Sequence, residues 1–146
     1  MRPLPLPALL LLALALPGCT RGAPEHRIVA AESGAVRLPL AEVADGGVHF
    51  FTFQHAGRNV NFLVRTDGQG ALHTHLDACY SCYRYRRGFV VEGSDLLCIA
   101  CRYTYPIAEE VWDFQGACAP IPFRSTVDGT SLIIERAVLE KAARYF

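Results

Sequence analysis

The chain has 146 residues, with 14 basic and 14 acidic side chains and six cysteines. That length suits one domain once an apolar leader is set aside, because compact domains run roughly 100–200 residues. The even charge balance excludes the broad basic footprint of a nucleic-acid-binding domain, so no nucleic acid is expected as a partner.

Arg2 supplies a positive start, and Leu4 to Leu16 is an apolar run of 13 residues. A bilayer span needs about 20, so the run reads as a signal rather than a transmembrane helix. It ends in Leu16-Pro17-Gly18-Cys19, which resembles the lipobox of bacterial lipoproteins. The small Gly18 and the Leu16 three residues before Cys19 fit that pattern; Pro17 is less usual. The resemblance implies cleavage before Cys19 and a diacylglycerol on its sulfur. A second acyl group on the new N-terminus would give the two chains that stable anchoring needs. The alternative is an ordinary cleaved signal with an incidental cysteine. No twin-arginine pair precedes the run, so export by the general route is expected, with the chain unfolded. Thr20 follows Cys19 where an Asp would signal retention. The expected location is the cell envelope, facing the periplasm, with the outer membrane favoured in a two-membrane bacterium.

Residues 1–19 are therefore read as the lipoprotein signal, 20–34 as a flexible tether, and 35–146 as one domain. From Ala35 onward short alternating runs appear. Val48 to His55 is a strand candidate, and Val60, Phe62 and Val64 alternate as a half-buried strand beyond a turn at Ala56-Gly57-Arg58. Asp67-Gly68-Gln69-Gly70 reads as a hairpin loop into Ala71–Leu76. Gly93-Ser94-Asp95 joins strand candidates Gly88–Glu92 and Leu96–Ile99, and Asp128-Gly129 joins Phe123–Val127 to Thr130–Ile134. Helical periodicity is confined to Arg136–Tyr145, where Val138, Leu139 and Ala142 form one stripe. The expected fold is α+β but mostly β: a small antiparallel β-hairpin domain with two Cys-x-x-Cys knuckles and a C-terminal helix.

With Cys19 assigned to the lipid, five cysteines remain. Cys79, Cys82, Cys98 and Cys101 form C-x₂-C-x₁₅-C-x₂-C, a metal-site spacing. A two-residue gap lets a tight turn place both sulfurs on one side with backbone N–H groups aimed at them. Two such turns at the ends of adjacent hairpins can bring four thiolates into a tetrahedron, and soft thiolates select zinc, iron or an iron–sulfur cluster. Structural disulfides are one competing reading, reasonable for an exported domain, although a bridge within Cys-x-x-Cys closes a tiny loop and stabilises little. A thiol oxidoreductase is another, but it wants its first cysteine at a helix N-terminus. Residues 83–88 and Pro106 leave little room for one.

Cys118, in Gly116-Ala117-Cys118-Ala119-Pro120-Ile121-Pro122, is a candidate fifth ligand, a replacement ligand, or a buried thiol. His73, His75 and Asp77 share the face of a strand that leads into Cys79, and His73 and His75 are a further candidate metal pair. Alone, a His-x-His on a strand is more often incidental. Arg84, Arg86 and Arg87 follow the first cysteine pair directly; they would offset the negative charge of a tetrathiolate centre, or simply form a solvated loop. There is no Ser-His-Asp arrangement, phosphate loop or paired carboxylate site, so hydrolytic or phosphoryl-transfer activity is not expected.

Between roughly Val60 and Phe123 the sequence resembles the iron–sulfur, FtrD-like membrane proteins encoded with bacterial iron transport systems. The residues that carry the likeness are Asp67-Gly68, Asp77-Ala78-Cys79-x-x-Cys82-Tyr83, Gly88, Glu92-Gly93, Cys98-x-x-Cys101, Tyr105-Pro106-Ile107 and Gly116-x-Cys118-x-Pro120-x-Pro122. The resemblance implies a cluster or metal held by these cysteines and a part in passing electrons during ferrous iron uptake, with components of an iron transport or electron-transfer system as partners. Iron–sulfur clusters are normally assembled in the cytoplasm and cannot ride an unfolded chain through export. Mononuclear iron, zinc or copper therefore stays open beside the cluster. From other classes, a structural zinc-ribbon-like interaction module and a thiol oxidoreductase or metallochaperone remain the alternatives.

Overall fold

The structure is a computed structural model that describes residues 23–110, 112 and 118–146. Residues 1–19, read above as a signal ending in a lipobox cysteine, lie outside the described residues. Strands take 47% of the described chain and helices 14%, which makes the domain mostly β as expected.

The centre is a meander of β3 (Val48–His55), β4 (Arg58–Thr66) and β5 (Leu72–Cys79), preceded by β1 (Arg27–Val29) and β2 (Ala35–Pro39). The β3–β4 turn has two residues, Ala56 and Gly57, both at positive φ (48° and 75°). That is the geometry a twisted antiparallel pair prefers. Between β4 and β5, Asp67 Oδ1 accepts the N–H groups of Gln69 and Ala71 at 2.9 Å each and fixes the loop. A short helix α1 (Leu40–Val43) follows β2.

After the meander come the hairpin β6 (Phe89–Glu92) and β7 (Asp95–Cys98), then β8 (Thr104–Pro106) and β9 (Pro120–Pro122). The chain closes with the hairpin β10 (Thr126–Asp128) and β11 (Ser131–Glu135) and helix α2 (Arg136–Ala142), which tightens into a 3₁₀ turn over Ala143–Tyr145. The strands form a five-stranded sheet in the order β1-β3-β4-β5-β9 and two three-stranded sheets, β10-β11-β2 and β6-β7-β8.

Both faces of the large sheet are covered. On one, Phe51, Phe53, Val60, Phe62, Val64, Leu76 and Ala78 pack against Val36, Leu38, Leu132, Ile134 and Leu139 from β2, β11 and α2. On the other, Phe50, Leu63 and Cys79 pack against Phe89, Leu96, Cys98 and Tyr105 from β6, β7 and β8. Each fully buried Leu, Val or Phe stabilises by about 1.5–3 kcal/mol, so both layers hold the sheet. The cysteines belong to the second layer.

Expectations are corrected near both ends of the chain. The stretch read as a tether, 20–34, is structured from Arg27: β1 pairs with β3, in parallel, as Arg27↔Phe51 to Val29↔Phe53. The sheet edge supplies partners that so short a segment could not find alone. The expected strand from Phe123 starts only at Thr126, and the last hairpin turns at Gly129-Thr130. Among the described residues no helix is long and apolar enough to cross a membrane.

Candidate metal centre

Three strands position the thiols. Cys79 ends β5 and Cys98 ends β7, so each Cys-x-x-Cys turn starts where a strand stops. In the first turn the Cys82 N–H donates to Cys79 Sγ at 2.9 Å. In the second, the N–H groups of Cys101 and Ala100 face Cys98, and Arg102 N–H donates to the Cys98 carbonyl at 2.9 Å with Arg102 itself at φ 64°. Backbone donors aimed at sulfur favour the thiolate, which is the form that binds metal.

Cys118 stands two residues ahead of β9. This strand pairs with β5 at the sheet edge, in the register His75↔Pro122 and Cys79↔Pro120. Two of its three residues are prolines, which lack the N–H a central strand needs, so an edge is where it can lie. The pairing continues past the strand, with Tyr80 N–H donating to the Ala119 carbonyl at 3.3 Å. Cys118 Sγ thereby comes within 3.6 Å of Cys82 Sγ.

The five thiols form two groups that share Cys82. Cys79, Cys82 and Cys118 are one, and Cys82, Cys98 and Cys101 the other, with sulfurs within 4.8 Å of one another in each. All five are free thiols. A metal bound by sulfur at about 2.3 Å in a tetrahedron separates its sulfurs by about 3.8 Å, close to the 3.6 Å between Cys82 and Cys118. The donor set therefore fits a thiophilic metal.

Burial shapes the protonation. It pushes the Cys98 thiol up to about 11 and raises Cys79, against the opposing pull of the Cys82 N–H. Burial, then the neighbouring Cys101 and Cys82 thiols, raises Cys118. Cys101 alone goes down. Burial acts to raise it, but hydrogen bonds from Cys118, the Tyr103 N–H, Cys98 and Cys82 outweigh that. The thiols thus titrate together, and their protons leave as a cation replaces them.

The histidines lie elsewhere. His73 Nε2 is 2.8 Å from Asp67 Oδ2. His75 is buried against Trp112, ring centroids 4.8 Å apart, and burial, then the charges of Arg65 and His73, lower its pKa to about 3. Neither belongs to the two thiol groups. Asp77, on the same strand face, accepts the Phe89 N–H at 2.7 Å and contacts His26 Nε2 at 2.9 Å. It ties β6 to the large sheet. Arg84, Arg86 and Arg87 are exposed beside the first cysteine pair.

Arg65 is a structural surprise: its side chain is fully buried. Nη1 donates to the carbonyls of Ile107 (2.8 Å) and Glu109 (2.6 Å), and Nη2 to Glu110 (3.2 Å). The guanidinium carbon lies 4.0 Å from the Trp112 ring centroid. Arg65 thereby pins the segment that leads toward Cys118. A signal for it stood in the sequence: Leu63 between Phe62 and Val64 breaks the alternation, as a strand covered on both faces does.

The sequence profile of the family described as "Membrane iron-sulfur containing protein FtrD-like" matches residues 43–146, which takes in the meander, all five thiols and the C-terminal helix. The chain belongs to the FtrD-like family. Iron–sulfur chemistry is thus the context in which this FtrD-like thiol cluster is read, and the cluster has the donors to hold a metal. No curated protein and no solved structure matches the chain.

Proposed function

We propose that this FtrD-like chain is an exported envelope protein, acylated at Cys19 and facing the periplasm, that holds iron in its thiol cluster and serves iron transport or electron transfer. The observation that carries the metal reading is the convergence of five thiols around the shared Cys82. Cys79, Cys82, Cys98 and Cys101 are the ligands of this reading, and Cys118, 3.6 Å from Cys82, is an auxiliary one. Bound there, iron would supply one-electron chemistry. The protein's part is to hold it: backbone N–H groups stabilise the sulfur charge, while Phe89, Leu96 and Tyr105 exclude water. The half-buried Cys82, Cys101 and Cys118 keep one edge of the centre near the surface.

Metal analysis of the anaerobically purified mature protein, with its visible spectrum, tests this. Iron with thiolate charge-transfer bands supports it. A colourless zinc protein would instead indicate a structural interaction module, and a metal-free protein with oxidised cysteines would indicate thiol chemistry.

A further inference from the structure

Ala23 lies among the arginines that flank the cysteine centre. A concavity of about 420 Å³ is lined by Ala23, Arg87, Arg102 and Glu92. A second, of about 660 Å³, is lined by Ala23, Arg86 and Arg87 together with Cys79, Cys82 and Cys98. Four residue steps separate Ala23 from Cys19. A fully extended chain covers at most about 3.6 Å per residue, so the anchor point lies within about 14 Å of this face. An acylated Cys19 sits at the bilayer surface, and the thiol centre is carried there with it.

The face has the composition for that surface. Residues 78–91 and 96–108 contain four arginines and no Asp or Glu, although the chain as a whole carries as many acids as bases. One acid lines each concavity, Glu92 the smaller and Asp77 the larger, and Asp77 is already engaged with His26 and the Phe89 N–H. Beside the arginines, Tyr85 and Tyr103 are 70% and 55% exposed. Guanidinium groups bind phosphate in a forked geometry, and tyrosine favours the boundary between water and lipid.

We propose that Arg86, Arg87 and Arg102, with Tyr85 and Tyr103, form a docking face for anionic phospholipid headgroups that lays the cysteine centre against the bilayer. The proposal rests on the lipid-anchor reading of Cys19. The short connection to the anchor favours lipid over an acidic protein, because it holds Ala23, and the arginines that line the same concavities, within reach of the bilayer. Each arginine near an anionic leaflet is worth roughly fivefold in binding.

The test uses the mature full chain on phosphatidylcholine vesicles with and without phosphatidylglycerol, read by amide hydrogen exchange. Exchange across residues 83–88 and 99–103 should slow by roughly tenfold or more when the anionic lipid is present. The R86Q/R87Q/R102Q variant should lose that effect while still floating with the vesicles and keeping its metal. Equal exchange on both vesicles, slowing that survives the triple substitution, or slowing that requires an acidic protein instead of acidic lipid would overturn the proposal. Failure of the anchor reading shows separately, as an unacylated N-terminal peptide and a protein that does not float.

Discussion

A β-carbon placed on Gly88 would lie 2.4 Å from Asp77 Oδ2 and 2.5 Å from Oδ1, so the Asp77 carboxylate rests directly on the Gly88 backbone. Gly88 also has φ +64°, a conformation costly for any side chain. This close approach lets Asp77 accept the Phe89 N–H and start β6 beside the large sheet. Gly88→Ala should therefore cost about 2–4 kcal/mol and loosen the hairpin that carries Cys98. Thermal unfolding measures it, and an unchanged melting temperature would contradict the packing described.

Cys82 stands in both thiol groups, so Cys82→Ser should remove the most metal of any single cysteine change. Replacement of Cys79, Cys98 or Cys101 by Ser should also lower metal content steeply, because a neutral hydroxyl replaces a soft thiolate. Cys118→Ser should lower it less, or shift the spectrum while metal stays bound. Metal-to-protein ratios across the five variants decide this. Full occupancy in Cys98→Ser or Cys101→Ser would sink a site built on both pairs.

Arg65→Lys keeps the charge but cannot reach three carbonyls with one ammonium. It should cost about 2–4 kcal/mol in denaturant unfolding, since buried carbonyls lose their donors. It should also speed proteolysis within residues 107–112. An unaltered cleavage rate there would show that Arg65 does not hold the segment.

Much of the fold was legible, and its gaps have physical causes. β3 occupies Val48–His55 as its aromatic run indicated, and Gly93-Ser94 turns β6 into β7. The C-terminal helix follows its stripe of Leu139 and Ala142. What escaped was structure borrowed from neighbours. β1 exists because β3 offers an edge, and β8 because β7 does. Pro120-Ile121-Pro122 looks like a breaker, and becomes a strand only at a sheet edge. The two cysteine pairs announced a site, but Cys118's approach to Cys82 depended on that edge pairing, which no spacing encodes.

Acid should weaken the fold through His75. The unfolded chain takes up this proton near pH 6.5, whereas the folded protein holds out to about 3. Stability is therefore lost as pH falls from 6.5 toward 3, by at most about 1.4 kcal/mol per pH unit. Asp67 acts in the same sense lower down: the hydrogen bond to His73 holds its carboxyl at about 2, so its contribution fades below pH 4. Urea midpoints at pH 7 and pH 5 should converge in His75→Gln relative to the parent. Parallel losses in both proteins would rule His75 out as the source.

Cys19→Ala should abolish acylation and leave either an uncleaved precursor or a protein free of membranes. Labelling with a palmitate analogue and fractionation read this out. A variant that still labels and sediments with membranes would refute the lipobox reading.

The N-terminal residues also have a mechanical order. A pull on the chain ahead of Ala23 reaches His26 before β1, and His26 is held by Asp77 at 2.9 Å. The load passes first to the carboxylate that also holds the Phe89 N–H. Once that contact parts, tension falls on β1, whose three residue pairs with β3 run along the strand and resist together as a shear joint. The arm is a line with its weaker link in front, and that link is one hydrogen bond away from the hairpin that carries Cys98.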